Sequence, residues 1–198
     1  MNIFKRTARA VAAGVVAVAA AQFPAAPSFA VQNWNVVDDQ SSIGFAGTHA
    51  GRSFTGTFQS WQADISFDPS DLASSRAEVT VDLTSAVTGD ATYDKTLPTT
   101  DWFNVSQISQ AKFVTTEFSK TADAHSFNAE GLLSIRGVEV PVTLSFNFID
   151  QGQDARLEGT ASLKRLDFGI GKGSDAEGAW VSLDIPVTVS VLLKRAQE

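Results

Sequence analysis

The chain contains 198 residues, with 15 Lys and Arg against 22 Asp and Glu and no cysteine. This length fits one domain or two small ones, and 19% charged residues with 43% hydrophobic residues is typical of a folded chain. The lack of cysteine excludes disulfides, thiolate zinc sites, iron–sulfur clusters, thiol catalysis and a bacterial lipoprotein anchor. The acidic balance argues against a nucleic-acid partner, because phosphate binding needs clustered Lys and Arg.

The first thirty residues have the pattern of a secretory signal peptide. Three basic residues within the first nine precede an apolar run over residues 10–21, and a small-x-small site ends at Ala30. The run is too short to span a bilayer, which favours cleavage after Ala30 over a membrane anchor. Loss of the three basic residues would leave 12 basic and 22 acidic side chains, a balance of −10. We expect a mature domain of residues 31–198 in the periplasm or the extracellular space.

Apolar and polar residues alternate through most of the mature chain, which is the pattern of half-buried strands. The clearest stretch is residues 181–193, where Pro186 lies on the polar side and predicts a bulge or an edge position. A change of phase near residues 59–60 predicts a β-bulge within one long strand, and residues 136–137 predict a tight hairpin turn. Further alternating stretches occupy residues 77–83, 127–135, 140–148 and 157–163.

The exception to this alternation is the segment over residues 88–105, in which two short helices are predicted. Thr100 or Asp101 is a suitable N-cap for the second. We therefore predict an all-β domain, an antiparallel barrel of eight strands, or nine, with a short helical insertion. Closure into a barrel would remove the exposed edges of such long strands.

Periodicity leaves open which face of the barrel is inside and whether the interior is filled. An eight-stranded barrel is either packed with side chains or able to hold one small ligand. The apolar faces include small residues, which either leave a channel or mark close packing: Gly56, Ala129, Gly131, Gly159 and Ala161. A membrane barrel is the third alternative, but it needs aromatic girdles at both rims, and the chain has one Tyr and four Trp.

The order of several motifs resembles the YceI-like family, exported proteins with a lipocalin-like barrel that bind isoprenoid lipids. The resemblance begins at Trp34 and covers nearly the whole mature chain, although Gln40 stands where many members carry histidine. The matching motifs are, in chain order, Ser41-Ser42-Ile43-Gly44-Phe45, Thr48-His49-Ala50-Gly51, Phe54-Thr55-Gly56-Thr57-Phe58, Tyr93-Asp94-Lys95-Thr96-Leu97, Asp101-Trp102-Phe103-Asn104-Val105, Gly131-Leu132-Leu133-Ser134-Ile135-Arg136-Gly137-Val138 and Arg165-Leu166-Asp167-Phe168-Gly169-Ile170-Gly171, followed by Trp180.

The resemblance implies a lumen that sequesters a polyprenyl chain, such as that of an isoprenoid quinone or a polyprenyl phosphate, with no cofactor besides this lipid. A five-carbon unit contributes roughly 4 kcal/mol of burial before the cost of ordering the chain. We expect a binding protein rather than an enzyme. Carriage of a fatty acid or fatty amide, catalysis on a lipidic substrate and a filled structural barrel are the alternatives. A transient membrane-surface contact for lipid exchange and a homodimer are left open.

Thirteen residues are the candidates for ligand binding. For the phenylalanines, ordinary core packing is an equal alternative, and Trp102 and Phe103 either line the mouth or plug one end. His49 is expected to make a structural hydrogen bond rather than to meet a head group. The candidates are Phe45, His49, Phe54, Phe58, Asp94, Leu97, Trp102, Phe103, Phe113, Leu133, Phe146, Arg165 and Phe168.

Three further predictions concern polar groups near these candidates. Arg165 is expected to form an ion pair with Asp167 or Asp94, although a cation there could also meet a head group. Residues 169–174 resemble a phosphate-binding loop but lack the following helix, which predicts a flexible loop. The two histidines have no ligand spacing around them, so no metal site is predicted.

Overall fold

The computed structural model describes residues 31–197, so the predicted signal peptide lies outside the described residues. Within this range no helix is long and apolar enough to cross a bilayer. The segment contains one α-helix, α1 (Ala91–Thr96), and eleven strands. The strands are β1 (Asn33–Val36), β2 (Ser42–His49), β3 (Arg52–Phe58), β4 (Trp61–Ser66), β5 (Arg76–Asp82), β6 (Ala86–Val87), β7 (Gln110–Lys120), β8 (Ser126–Ile135), β9 (Val138–Asp150), β10 (Asp154–Lys164) and β11 (Asp184–Arg195).

These eleven segments form a closed antiparallel barrel with eight strands in its wall. The first three wall strands are each interrupted, so that β1 and β2, β3 and β4, and β5 and β6 are successive segments of one strand. Each wall strand pairs with the next along the chain, and β11 closes the ring by pairing with both β1 and β2. The prediction of an eight-stranded antiparallel barrel is confirmed.

The local irregularities lie where the sequence predicts them. The wall strand formed by β3 and β4 is interrupted at residues 59–60, whose backbone N–H groups donate to the carbonyl and hydroxyl of Ser85. Residues 136–137 turn the chain between β8 and β9 with φ values of 56° and 79°, as a two-residue hairpin turn requires. The pairing of β11 with β2 changes register near Pro186: Val187 pairs with Phe45, whereas Val181, just before β11, pairs with His49.

The apolar phase of the strands points into the barrel and the polar phase points to solvent. Along β9, Val142, Leu144 and Phe146 line the interior, while the alternate residues Thr143 and Ser145 are exposed. The same division holds on β10 and β11, whose odd-numbered valines and leucines point inward and line the lumen, except Leu193, which is buried in the core. A membrane barrel would turn its apolar face to lipid. The structure contradicts that alternative because this face is turned inward.

The glycines on the apolar faces make room for phenylalanine rings that lie against the barrel wall. A Cβ atom added to Gly56 would overlap the ring of Phe45, its neighbour across the β2–β3 ladder. A Cβ added to Gly131 would lie 2.6 Å from Cε2 of Phe113. Close packing is therefore the correct interpretation of these two glycines. It also keeps the lumen open, because the rings rest on the wall rather than projecting across the barrel.

We expect Gly131→Ala to lower the free energy of unfolding by about 1–3 kcal/mol, the usual cost of overpacking a core. The added methyl group would lie 2.5 Å from the carbonyl oxygen of Val114 as well as against Phe113, so a side-chain rotation alone cannot relieve the overlap. Urea unfolding measures the change. Leu132→Ala is the control, because Leu132 is 41% exposed on the outer face, and a shift within about 0.5 kcal/mol is expected there. Equal losses in the two variants would contradict this account.

Candidate functional site: the barrel lumen

The lumen contains a cavity of about 230 Å³. Among residues 31–197, the lining side chains are apolar except for Thr115 and Arg165. Many lining residues, among them Phe113, Leu133 and Ala161, remain half-buried although they point into the barrel. A filled barrel would leave such positions fully buried, so the interior is not packed solid. The aromatic lining residues are Phe45, Phe54, Phe58, Trp61, Phe67, Trp102, Phe103, Phe113, Phe118, Phe146 and Phe168.

One end of the cavity is closed by a cluster that we call the aromatic floor, formed by Phe67, Phe118, Phe127, Phe146 and Phe148. The ring of Phe67 lies at its centre, with centroids 4.8–5.5 Å from the other four rings. All five side chains are at most 8% exposed. The indole N–H of Trp34 donates to the carbonyl of Phe67 at 2.9 Å, which ties the cluster to β1.

The opposite end is covered by the insertion, residues 88–109, which connects β6 to β7. Its helix α1 begins after Asp90, whose carboxylate accepts hydrogen bonds from the backbone N–H groups of Thr92 and Tyr93. Residues 97–103 continue as hydrogen-bonded turns, so the second predicted helix is wrong. The expected cap at Thr100 or Asp101 is also wrong, because the carboxylate of Asp101 is bound by a different segment.

Asp101 connects the insertion to the loop over residues 169–175. Its Oδ1 accepts from the N–H of Gly173 at 2.7 Å, and its Oδ2 accepts from the N–H and hydroxyl of Ser174 at 2.9 and 2.5 Å. Arg136 supports the same contact by donating to the carbonyls of Thr100, at 2.9 Å, and Gly169. The loop over residues 169–174, which was predicted to be flexible, is therefore held by the carboxylate of Asp101. This carboxylate binds the N–H groups with which a phosphate-binding loop would bind its anion.

The hydrogen bond from the Ser174 hydroxyl, with further bonds from the Gly173 and Ser174 N–H groups, holds the pKa of Asp101 below its usual value of 3.8. A carboxylate with a lowered pKa stabilises the folded state above its unfolded pKa, and this contribution is lost as pH falls through the folded value. Asp101→Asn should therefore destabilise the protein near neutral pH, and the difference from wild type should shrink below about pH 4.

Urea midpoints measured between neutral and acid pH test this expectation. Asp64→Asn is the matched control, because Asp64 is exposed on β4 and the substitution removes the same charge. We expect the control to differ little from wild type throughout. A difference between Asp101→Asn and wild type that stays constant down to the lowest pH would contradict the assigned hydrogen bonds.

Arg165 is the one charged residue among the described side chains that line the cavity. Its partner is Asp175, whose Oδ2 accepts from Nη2 at 2.7 Å, and both side chains are at most 5% exposed. Further bonds run from the guanidinium to the carbonyls of Ile170, Asp175, Val181 and Ser182. Arg165 therefore forms an ion pair, but with Asp175. Its predicted partners, Asp167 and Asp94, are wrong.

Asp175 is held in its charged form mainly by the backbone. The hydrogen bond from the N–H of Val181, at 2.8 Å, together with one from Trp180, lowers the pKa of Asp175, and the charge of Arg165 adds to this effect. Asp94 serves the insertion instead, since its carboxylate accepts from the N–H and hydroxyl of Thr88 at 2.7 and 2.6 Å.

His49 lies outside the lumen and joins the end of β2 to helix α1. Its Nδ1 and the hydroxyl of Tyr93 are 2.9 Å apart, and the two rings meet edge to face. Tyr93 also packs against Phe54, at 5.6 Å between ring centroids. This contact agrees with the structural hydrogen bond expected for His49. Among residues 31–197 no group of three or more His, Asp and Glu side chains is arranged to hold a metal ion.

Eleven of the thirteen candidate residues line the cavity, and the two others, His49 and Asp94, do not. Phe103 is 8% exposed and packs against Phe58, whereas Trp102 remains half-buried, with its ring 5.9 Å from the Arg165 guanidinium carbon. Both therefore line the lumen and cover its end. Sequence reasoning missed Tyr93, although it lies within one of the family motifs, and Phe67, which directly follows β4 and continues its apolar phase.

Comparison with known families and proteins supports the resemblance in the sequence. A family model described as the YceI-like domain matches residues 34–193. A protein of Pseudomonas fluorescens named UPF0312 protein is 31% identical over 200 residues, covering 92% of this chain and 98% of that protein. A UPF0312 protein of Pseudomonas aeruginosa is 36% identical over 135 residues, covering 65% of this chain and 70% of that protein.

Two solved structures have the same fold. The crystal structure of Burkholderia cenocepacia BcnA superimposes with a TM-score of 0.76 at 25% identity, covering 80% of this chain and 99% of that one. The structure of a polyisoprenoid binding domain from Saccharophagus degradans superimposes with a TM-score of 0.64 at 14% identity, covering 85% and 100%. The second likeness concerns the fold alone.

Proposed function

Because the chain belongs to the YceI-like family, we propose that it is an exported binding protein that carries an isoprenoid lipid in its barrel lumen. The observation that carries this proposal is the unfilled apolar cavity, closed at one end by the aromatic floor. A lumen of this kind favours a long hydrocarbon because each methylene buried in it contributes about 0.8 kcal/mol. The Saccharophagus degradans protein, a polyisoprenoid binding domain, shares this barrel fold.

The lipid enters at the insertion end and points its tail at the aromatic floor. Phe54, Leu97 and Trp102 line the cavity near the insertion and remain half-buried, whereas the floor is almost fully buried. The insertion is attached to the rest of the barrel by the side-chain contacts of Asp101 and His49 and by a backbone hydrogen bond from the N–H of Gly171 to the carbonyl of Asp101, none of which belongs to the strand pairing of the wall. A lipid that enters tail first leaves its head group beside Trp102 and Arg165.

Binding rather than catalysis is the role that these side chains support. Catalysis on a lipid requires a base or a nucleophile that converges on the cavity. Of the two polar residues in the lining, Arg165 is already bonded to Asp175, and Thr115 donates to the carbonyl of Ala77 at 3.1 Å. His49, the histidine nearest the insertion, is paired with Tyr93 outside the lumen.

Native mass spectrometry of the protein purified without detergent, followed by solvent extraction and lipid analysis, tests the proposal. We expect a bound species whose mass corresponds to a polyprenyl lipid, and binding of added isoprenoid quinone by protein that has been stripped of lipid. Recovery of a fatty acid or fatty amide in place of a prenyl lipid would support the alternative ligand. Empty protein that takes up neither class would contradict a carrier function.

Export is tested separately. Expression of the full chain in a bacterial host, with fractionation and N-terminal sequencing, should give a periplasmic or secreted product that begins at Val31. A product that keeps its first thirty residues and stays in the cytoplasm would contradict this part of the proposal without affecting the lipid-binding part.

A further inference from the structure

Three features at the insertion end are of the kind that bind phosphate, and each already has a partner within the chain. The first is Arg165, which lines the lumen but is neutralised by Asp175 at 2.7 Å. Its remaining bonds are to backbone carbonyl oxygens, which repel an anion rather than attract it. The net charge that this pair presents to the lumen is therefore close to zero.

The second feature is the glycine-rich loop over residues 169–175. Consecutive backbone N–H groups in such loops are able to cradle an anion. Here the N–H groups of Gly173 and Ser174 both donate to the carboxylate of Asp101, and the Ser174 hydroxyl does the same. The anion site of this loop is thus filled by a side chain of the insertion.

The third feature is Arg136 at the tip of the β8–β9 hairpin. Its guanidinium donates to the carbonyls of Thr100, Asp101 and Gly169, which fixes it between the insertion and the loop. A phosphorylated head group beside Arg165 would lose its hydration there, while these cations already have their hydrogen bonds within the chain. Burial of a charge without a partner is costly, whereas a hydroxyl or ketone requires at most a hydrogen bond.

We propose that the lumen selects a prenyl lipid with an uncharged head group, such as a prenyl alcohol or a quinone, over the phosphorylated lipid of the same chain length. This inference rests on the proposed function and specifies its ligand class. It follows because Arg165, Arg136 and the N–H groups of the loop over residues 169–175 are already hydrogen-bonded within the protein. The preference concerns the head group of the lipid, whereas the apolar lining recognises its prenyl chain.

Competition between two ligands that differ only in their heads tests the inference. Lipid-free protein is loaded with the neutral fluorophore N-phenyl-1-naphthylamine and titrated with geranylgeraniol or with geranylgeranyl phosphate, both below their micellar concentrations. We expect the alcohol to bind at least about tenfold more tightly at the same salt concentration. Equal or tighter binding of the phosphate would overturn the inference and leave the proposed function standing. Failure of both lipids to bind would count against the proposed function itself, and against this inference with it.

The variant Asp175→Asn probes the mechanism, because it removes the counter-charge and leaves Arg165 facing the lumen. The preference for the alcohol should fall severalfold as the phosphate gains a partner. Glu177→Gln is the matched control, since it removes the same charge from an exposed position in the adjoining loop and should leave the ratio unchanged. Equal shifts in the two variants would overturn the role of the ion pair. Thermal unfolding shows whether Asp175→Asn is folded. If the variant does not fold, the affinities of the wild-type protein for the alcohol and the phosphate decide the head-group preference.

Discussion

Ala161→Phe is expected to abolish most lipid binding while leaving the protein folded. Ala161 lies on the inner face of β10 opposite Val187 and is half-buried because the cavity lies beside it. A phenyl ring at this position would project into the space available to the ligand. Displacing one five-carbon unit removes roughly 4 kcal/mol of gross burial. We expect the dissociation constant to rise by about tenfold or more, since part of that burial is offset by ordering costs.

Ser162→Phe is the matched control for this variant. Ser162 is the next residue of β10 and is exposed on the outer face, so the substitution adds the same phenyl ring outside the lumen. Displacement of a neutral fluorophore by the lipid measures both variants, and thermal unfolding establishes that each is folded. Unchanged binding by Ala161→Phe, or an equal loss in Ser162→Phe, would show that the lipid is held somewhere other than the lumen.

Arg165→Met is expected to destabilise the protein by about 3–5 kcal/mol, the usual result of removing one partner of a buried ion pair. The substitution leaves the carboxylate of Asp175 without its charged partner and leaves the carbonyls of Ile170, Val181 and Ser182 without the donors that now satisfy them. For a domain of this size, a loss of this magnitude lowers the melting temperature by on the order of 10 °C.

Glu78→Ala is the control for the buried pair. Glu78 forms an ion pair with Lys112 at 2.6 Å, but both side chains are more than 40% exposed. Exposed pairs contribute about 0–1 kcal/mol, so the control should cost far less than Arg165→Met. Denaturant unfolding of both variants compares the two. A loss below about 1 kcal/mol in Arg165→Met would mean that the pair contributes no more than an exposed one.

The sequence predicts the barrel well because its main signal is local. Residues 181–193 and 140–148 alternate with a period of two, and that period is a property of extended backbone. The turn at residues 136–137 and the interruption at residues 59–60 are likewise visible in short windows of sequence. Eleven of the thirteen candidate site residues reach the lumen. Nine of them do so for the same reason, because six lie on the apolar phase of strands and three lie in the insertion, whereas Arg165 and Phe168 lie in the turn that follows β10.

The polar contacts were harder to predict because their partners are distant in the chain or lie in irregular segments. Asp101 binds Gly173 and Ser174, more than seventy residues away, and Arg165 binds Asp175 rather than Asp167. The second predicted helix failed for a related reason. The carboxylate of Asp101, which could have capped it, accepts hydrogen bonds from the loop over residues 169–175 instead.

Strand positions, the apolar and polar phases and the chemical character of the lumen can all be read from the amino-acid order, since alternation along a strand is a local property. The chain order could not reveal which phase faces inward, nor that rings such as Phe113 lie on glycines and leave the lumen open. Nor could it reveal which carboxylate neutralises Arg165. These features depend on closure of the eight-stranded wall, which brings together side chains that no local pattern relates.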